Sequence, residues 1–506
     1  MSLDPSKSPD KKIDRIMLIQ PPYTILKDMP KGCQPPLGLA YIAAVLENEA
    51  YGVKILDAVA EGFNDEVKLN GGFIKYGLSW DEIKERISDF KPDMVGVSCL
   101  FSMQSQNAHK VCEIAKKVDS RVYTVLGGAH PTSCPKEVME DKNVDFIVLG
   151  EGERSFLELI KKLEKGHKNS LSDIDGIVFR KNNKTIINPK TRFIEDLDGL
   201  PFPARHLLPM DKYFRINKPH GSMAKKSPNT PLITSRGCPA NCIFCSIKGV
   251  WGKKFRSRSP ENVLLELEHL KKQYGIKEIQ FEDDNLTFNK ERAERIFDMM
   301  VENNLDMSWT TPNGVALWAL NESLIKKMKN SGCYRLCFAI ESGDPYVLNK
   351  IIKKPLDLNH AKRIIKYAKK EGIESDAFFV VGFPEETKEQ IKRTFRFARD
   401  LDVDNVNFFI ATPYPGTELY DQCRKKGILG DFSDYSCLNV KKASIETDNF
   451  SRKYLEREVA VQGMLFRLNL LIRHPMVFFN RVVVRFFRQP GFFVSYALRI
   501  LKNMLS

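Results

Sequence analysis

The sequence predicts an α/β protein in two parts, a Rossmann-like doubly wound parallel sheet and then a partial (β/α)6 TIM-like barrel, with a helical C-terminal extension. Three observations carry this reading. Strand-length apolar runs rich in branched residues alternate with helical patterns through most of the 506 residues. The alternation pauses at a proline-bearing stretch from Asp196 to Arg205 and then resumes. A chain of this length is expected to divide into two or three cores.

Residues 1–14 form a polar, charged tail with no apolar segment, so no secretory signal is read there. In residues 15–165 the runs Ile16–Ile19, Val53–Leu56, Met94–Val97, Val122–Leu126 and Phe146–Leu149 are expected to be the strands of the first sheet. Ligands on such sheets bind beyond the carboxyl ends of the strands. Those ends carry Gln20, Pro21 and Pro22; Ser98, Cys99 and Leu100; Gly127, Gly128, His130 and Thr132; and Gly150, Glu151, Gly152 and Glu153. Glycines there let the backbone approach a large planar or phosphate-bearing ligand. Residues 166–228 hold a hairpin, Ile174–Arg180 and Thr185–Ile187 around Asn182 and Asn183, and then the linker. Residues 229–420 supply six further strands, Leu232–Thr234, Glu278–Phe281, Met307–Thr311, Arg335–Ile340, Ala377–Val381 and Val406–Ile410. The working face of such a barrel is the carboxyl end of its strands. Residues 421–506 form the extension.

The cysteines carry the chemistry. Just past the first barrel strand, Cys238, Cys242 and Cys245 stand in the run Ser-Arg-Gly-Cys-Pro-Ala-Asn-Cys-Ile-Phe-Cys. These gaps let three thiolates wrap one face of a four-iron cube at small closure entropy, leaving the fourth iron without a protein ligand. An open metal position is where chemistry occurs. A zinc knuckle would need a fourth ligand, and no nearby Cys or His provides it. The eleven cysteines are odd in number and follow no signal, so a disulfide framework is not expected and a reducing cytoplasm is. Cys333 and Cys337, on one expected strand, read as buried core thiols.

The formal net charge is +14, and between Ser451 and Ser506 ten Lys or Arg face only Glu456 and Glu458. Elsewhere basic and acidic residues alternate on helix faces and no recognition motif occurs, which argues against nucleic acid as a partner. No apolar run approaches the roughly 20 residues that span a bilayer. From Met476 to Arg488 a helix would gather Arg481, Arg485 and Arg488 on one stripe, with Phe478, Phe479, Val482 and Phe486 elsewhere. Two fates are open for this segment: the inner surface of a membrane, or burial against the barrel or a second subunit.

With these motifs in place, residues Arg15 to Thr417 resemble the cobalamin-binding class of radical S-adenosylmethionine (SAM) enzymes. The resemblance implies a [4Fe-4S] cluster on Cys238, Cys242 and Cys245, with SAM on the remaining iron. It implies that Phe244 lies against the adenine and that Glu282, Asp283 and Asp284 receive the SAM ammonium. Glu341, Ser342 and Gly343 then meet the ribose, Gly382, Phe383 and Pro384 the adenine, and Thr412 to Thr417 end the sixth strand in the family's manner. The first domain, with Pro35 to Ala40 and Gly127-Gly128-x-His130-Pro131-Thr132, resembles the cobalamin-binding domain that precedes such barrels. The implied cobalamin contacts are Pro21, Pro22, Ser98, Gly127, Gly128, His130, Gly150, Glu151 and Gly152. No Asp-x-His-x-x-Gly occurs, so cobalamin is expected base-off, and His130 is either a turn residue or a cobalt ligand. The implied activity is methylation of an unactivated carbon through a 5'-deoxyadenosyl radical, with a reductant such as flavodoxin or ferredoxin; a C-terminal segment at the membrane would point to a hydrophobic or lipid-like substrate. Alternatives are a non-methylating cyclase resembling anaerobic magnesium-protoporphyrin ester cyclase, and a cobalamin or redox sensor.

Overall fold

The computed structural model describes residues 12–27, 29–166, 168–220, 224–429, 435, 438, 440–473 and 475. The segment Met476–Arg488, expected to be amphipathic, lies outside the described residues. Two compact units separate: one holds the chain to Lys27, Cys33–Lys218 and Ser246–Arg258, the other 29–32, Pro219–Cys245 and the chain from Ser259.

In the first unit the parallel strands are β1 (Arg15–Gln20), β2 (Gly52–Asp57), β3 (Met94–Ser98), β4 (Tyr123–Gly127) and β5 (Phe146–Val148), in the order β2-β1-β3-β4-β5. A hairpin, β6 (Ile177–Lys181) and β7 (Lys184–Ile187), adds to the β5 edge antiparallel. Its turn residues Asn182 and Asn183 have φ of 50° and 58°, left-handed values that asparagine tolerates. Both faces of the sheet are buried, as the unbroken apolar runs require. Met17, Ile19, Val95 and Val97 pack with Ile83 and Ile87 of α2 (Trp80–Phe90) and Val111 of α3 (Ser105–Val118). On the other face α1 (Leu37–Asn48) packs beside α4 (Gly152–Glu164), whose Phe156 closes over Gly96. This strand order changes direction between β1 and β3, and ligand crevices open at such switch points. A small antiparallel sheet of Tyr23–Leu26, Phe73–Tyr76 and Glu66–Lys68 was not evident from sequence, because its strands are three or four residues long.

In the second unit β8 (Asn229–Leu232), β9 (Glu278–Phe281), β10 (Ser308–Val315), β11 (Cys333–Glu341), β12 (Glu374–Val381) and β13 (Asn405–Ile410) pair in parallel in chain order. Helices α5 (Pro260–Tyr274), α6 (Lys290–Glu302), α7 (Glu322–Asn330), α8 (Leu358–Lys370) and α9 (Lys388–Asp400) connect them. This is a partial barrel. One strand face is apolar: fully buried Trp309 stacks on Phe297 of α6, ring centroids 4.9 Å apart. The other face is polar, with Gln280, Thr310, Arg335 and Glu374 as successive cross-strand neighbours. The first strand runs through Leu232 but stops short of the expected end at Thr234, because the Thr234 amide and hydroxyl bind the Asp283 carboxylate instead of a ladder partner. After α10 (Glu418–Lys425), α11 (Arg452–Arg473) packs on β13 and α9. No described helix is long and apolar enough to cross a membrane.

Candidate active site

The cysteine loop follows β8 at the carboxyl end of the barrel strands. Cys242 is buried, Cys238 and Cys245 half-buried. The residues after β9 brace the loop from one side. Asp283, 2% exposed, accepts from Thr234 N at 3.1 Å, Thr234 Oγ1 at 2.7 Å and Ser235 Oγ at 2.5 Å. Asp284 Oδ2 accepts from Gly237 N at 3.4 Å, and burial together with the charge of Asp283 pushes Asp284 up to about 7. Asn285 Nδ2 donates to Cys238 Sγ at 3.7 Å. From the other side, Ile243 N donates to Ile352 O at 3.1 Å and Leu419 N to Ile243 O at 2.9 Å.

Cluster thiolates each meet a different iron, so their sulfurs stand apart. Among the described residues no three His, Cys, Asp or Glu side chains converge on one ion. Three thiols on one short loop, one of them receiving an amide hydrogen bond, suit a [4Fe-4S] cluster. Two buried acceptors beside the loop lack a hydrogen-bond partner, Glu282 Oε1 and Asn285 Oδ1. Glu282 Oε2 pairs with His220 Nδ1 at 3.0 Å. Burial pulls the His220 pKa down, but the carboxylate outweighs it and the net shift is upward. Orphaned acceptors suit a cation with several N–H donors, which the ammonium of SAM is.

The other expected SAM residues lie at the same end of the barrel. Glu341 Oε1 pairs with Lys354 Nζ at 2.8 Å, both side chains nearly inaccessible. Ser342 Oγ hydrogen-bonds with Thr394 Oγ1 at 3.0 Å, and a Cβ on Gly343 would lie 2.4 Å from Phe397 Cβ, so α9 packs directly on this turn. Gly382 N and Phe383 N donate to Glu386 Oε2 at 2.7 and 3.2 Å. Phe383 is fully buried, with its ring centroid 6.1 Å from that of Phe244, and Pro384 is buried beside it. Sequence reasoning missed Glu386. It is fully buried, and desolvation pushes its carboxyl up to about 8 against the two amide bonds. The available signal was a glutamate directly before the helix-capping Thr387, four residues after Gly382.

In the first unit the expected cobalamin residues border the strand ends. Pro21 and Pro22 are buried, Pro22 O accepting from Asn107 Nδ2 at 2.9 Å. Ser98, Gly127, Gly150 and Gly152 are half-buried. Gly128 has φ of 113°, and a Cβ there would meet Cys99 O at 2.6 Å. Thr132 Oγ1 donates to Gly128 O at 2.7 Å and accepts from Gly150 N at 2.9 Å, tying two glycine turns together. His130 is 2% exposed, with Nδ1 at 3.1 Å from Ser102 Oγ, and burial lowers it to about 4. The imidazole is thus neutral and held inside the fold. Glu151 is occupied as well: Oε1 accepts from Arg256 Nη1 at 2.7 Å and Oε2 from Ile194 N at 2.8 Å. Leu100 and Phe101, 50% and 57% exposed, offer an apolar platform at the end of β3. Small strand ends beside such a platform suit the face of a corrin.

Comparison with known proteins gives the family. Residues 23–160 match the B12 binding domain and residues 232–398 the Radical SAM superfamily. The chain is 36% identical over 453 residues to cytidylyl-2-hydroxyethylphosphonate methyltransferase of Streptomyces wedmorensis, covering 84% of each chain. It is 29% identical over 467 residues to anaerobic magnesium-protoporphyrin IX monomethyl ester cyclase of Rubrivivax gelatinosus, covering 91% of this chain and 79% of the cyclase. In fold it is similar to the radical SAM methyltransferase TsrM of Kitasatospora setae, solved with cobalamin and a [4Fe-4S] cluster (TM-score 0.65, 15% identity, 82% of this chain and 75% of that one). The cobalamin-dependent radical SAM enzyme OxsB with aqua-cobalamin gives a TM-score of 0.62 at 17% identity, over 84% of this chain and 56% of that one. The chain belongs to the cobalamin-binding radical SAM enzymes, whose cofactors are a [4Fe-4S] cluster, SAM and cobalamin.

Proposed function

We propose that this enzyme transfers a methyl group to an unactivated carbon. The observation that carries the reading is 36% identity over 84% of both chains to a protein named as a methyltransferase. When bound, the cluster and SAM supply a radical able to take hydrogen from a carbon no base can deprotonate, and cobalamin supplies a transferable methyl. Cys238, Cys242 and Cys245 would hold the cluster. Glu282 Oε1 and Asn285 Oδ1 would receive the SAM ammonium, while Asp283 and Asp284 fix the loop that presents the thiols. Glu341, Ser342 and Gly343 would shape the ribose side. Phe244, Gly382, Phe383 and Pro384 would line the adenine side and keep water out. Pro21, Pro22, Ser98, Gly127, Gly128, Gly150 and Gly152 would border cobalamin, with His130 and Glu151 supporting that wall from inside the fold.

The test is an anaerobic, reducing incubation with SAM labelled in its methyl group and a one-electron donor such as flavodoxin or ferredoxin. Label in the product supports transfer. Deoxyadenosine release with no label in the product supports the second reading, a radical cyclase, which the identity to the magnesium-protoporphyrin cyclase favours. Absence of SAM cleavage refutes both.

We further propose a hydrophobic substrate met at a membrane surface. Leu465, Leu468 and Ile472 of α11 are 37%, 48% and 79% exposed at helical spacing, ahead of the basic tail. Flotation with anionic vesicles tests this, and protein that stays unbound rejects it. A cytidylylated phosphonate, the substrate class in the relative's name, is the polar compound to assay alongside.

A further inference from the structure

The chain between β11 and α8 leaves regular geometry at four points. The register of β11 against β12 shifts between Ala339 and Glu341. Glu341, which is not glycine, has φ of 73°. Val347–Ile351 forms a turn of π-helix, and Lys353 has φ of 65°. Such outliers persist where surrounding contacts hold them, and they gather at functional sites.

The contacts that hold them are visible. Asp344 Oδ1 accepts from Tyr346 N and Val347 N, both at 3.0 Å, and fixes the entry to the π turn. At the exit, Ile352 O accepts from Ile243 N, which lies between Cys242 and Phe244. Val347, Ile351 and Ile352 share one apolar cluster with Cys242, Ile243 and Phe383. Lys354 then turns back to Glu341, Nζ 2.8 Å from Oε1, with its ammonium 5.7 Å from the centroid of the Trp318 ring. One short segment therefore touches the cysteine loop through backbone and packing, and Glu341 through charge.

We propose that Lys354 is a positioning residue for SAM: it holds Glu341 in its left-handed turn, and the π turn links that constraint to the cysteine loop. The proposal rests on the reading of Glu341 as a SAM contact and of the three cysteines as cluster ligands. Without the ammonium, Glu341 is a buried charge lacking its counter-ion and is released toward ordinary backbone angles.

The experiment compares Lys354→Met and Lys354→Arg with the parent, as full chains purified anaerobically. Iron and cobalamin contents are measured first. SAM affinity is then titrated through the change that SAM makes in the electron paramagnetic resonance (EPR) signal of the reduced cluster. K354M is expected to keep iron and cobalamin while its SAM affinity falls by at least about tenfold, and K354R to return within about threefold of the parent. Unchanged affinity in K354M overturns the proposal, as does K354R being as impaired as K354M. If K354M does not fold, Lys354→Gln is titrated instead under the same criteria. A parent that lacks iron, or whose cluster signal ignores SAM, overturns the underlying reading and the proposal together.

Discussion

Asp283 links the barrel to the cysteine loop, and its replacement can be worked through atom by atom. Asp283→Ala removes the acceptor of Thr234 N, Thr234 Oγ1 and Ser235 Oγ, in a place where Thr234 is 0% and Ser235 2% exposed. Hydrogen bonds to a charged group contribute about 1.5–3 kcal/mol each, and an orphaned buried donor costs about 1–3 kcal/mol. The two hydroxyls can rotate toward other acceptors, whereas the backbone amide has nowhere to turn. We therefore expect a loss of about 3–5 kcal/mol, less than three full bonds. Asp283→Asn keeps an acceptor oxygen. Burial already raises the Asp283 pKa despite these donors, so part of its charge is unfavourable and the neutral amide should lose only about 1–2 kcal/mol. Urea unfolding followed by tryptophan emission, with iron content measured in parallel, gives both readouts. Iron retention should fall in the order parent, D283N, D283A. A D283A protein within about 1 kcal/mol of the parent, or a D283N protein as damaged as D283A, would refute the reasoning.

Glu386, raised from 4.5 to about 8, binds more protons in the folded than in the unfolded chain across that window. Its contribution is therefore fully present below the lower value and is lost as pH climbs through the upper one. Glu386→Gln, which still accepts from Gly382 and Phe383, should flatten the fall in melting temperature between those values, and an unchanged slope rejects the assignment. Glu151→Ala strands the Arg256 guanidinium, whose side chain is 2% exposed, and should cost about 3–5 kcal/mol by chemical denaturation. A loss below about 1 kcal/mol means that the pair is not held as described. His130→Ala should leave the EPR spectrum of bound cob(II)alamin unchanged, since its imidazole is engaged by Ser102. Nitrogen splitting in the parent that vanishes in the variant would show that histidine does reach cobalt.

The alternation of apolar runs was sufficient to read both sheets, because parallel strands buried on two faces announce themselves as unbroken Val, Ile and Leu. The cysteine loop was legible for a related reason: its ligands are close neighbours in the chain. What sequence could not show is which carboxylates are already engaged. Glu151 stands at a strand end like any ligand contact, but Arg256, 105 residues away, takes its charge. Ser342 meets Thr394, and Asp283 meets Thr234 and Ser235, across 52, 49 and 48 residues respectively. Glu386 carries no local sign of its direction, because a glutamate just before a helix is ordinarily solvated, whereas here it turns inward onto the backbone of Gly382 and Phe383. In the run Glu282 to Asn285 the two aspartates are engaged by Thr234, Ser235 and Gly237 while Glu282 Oε1 and Asn285 Oδ1 are orphaned, a division that depends on distant partners and not on residue type.

The strand order of the second unit bears on how the width of its interior is set. In a closed cylinder the radius follows from strand number and stagger, so a roomier interior demands re-registering every pair. Here β8 and β13 are the two margins of the sheet and do not pair with each other among the described residues. Moving those margins apart would widen the interior while the ladders around β9 to β12, and the turns they end in, stay in place. A change of interior width in this architecture therefore needs no re-registering of the strands whose ends carry the residues after β9 to β12.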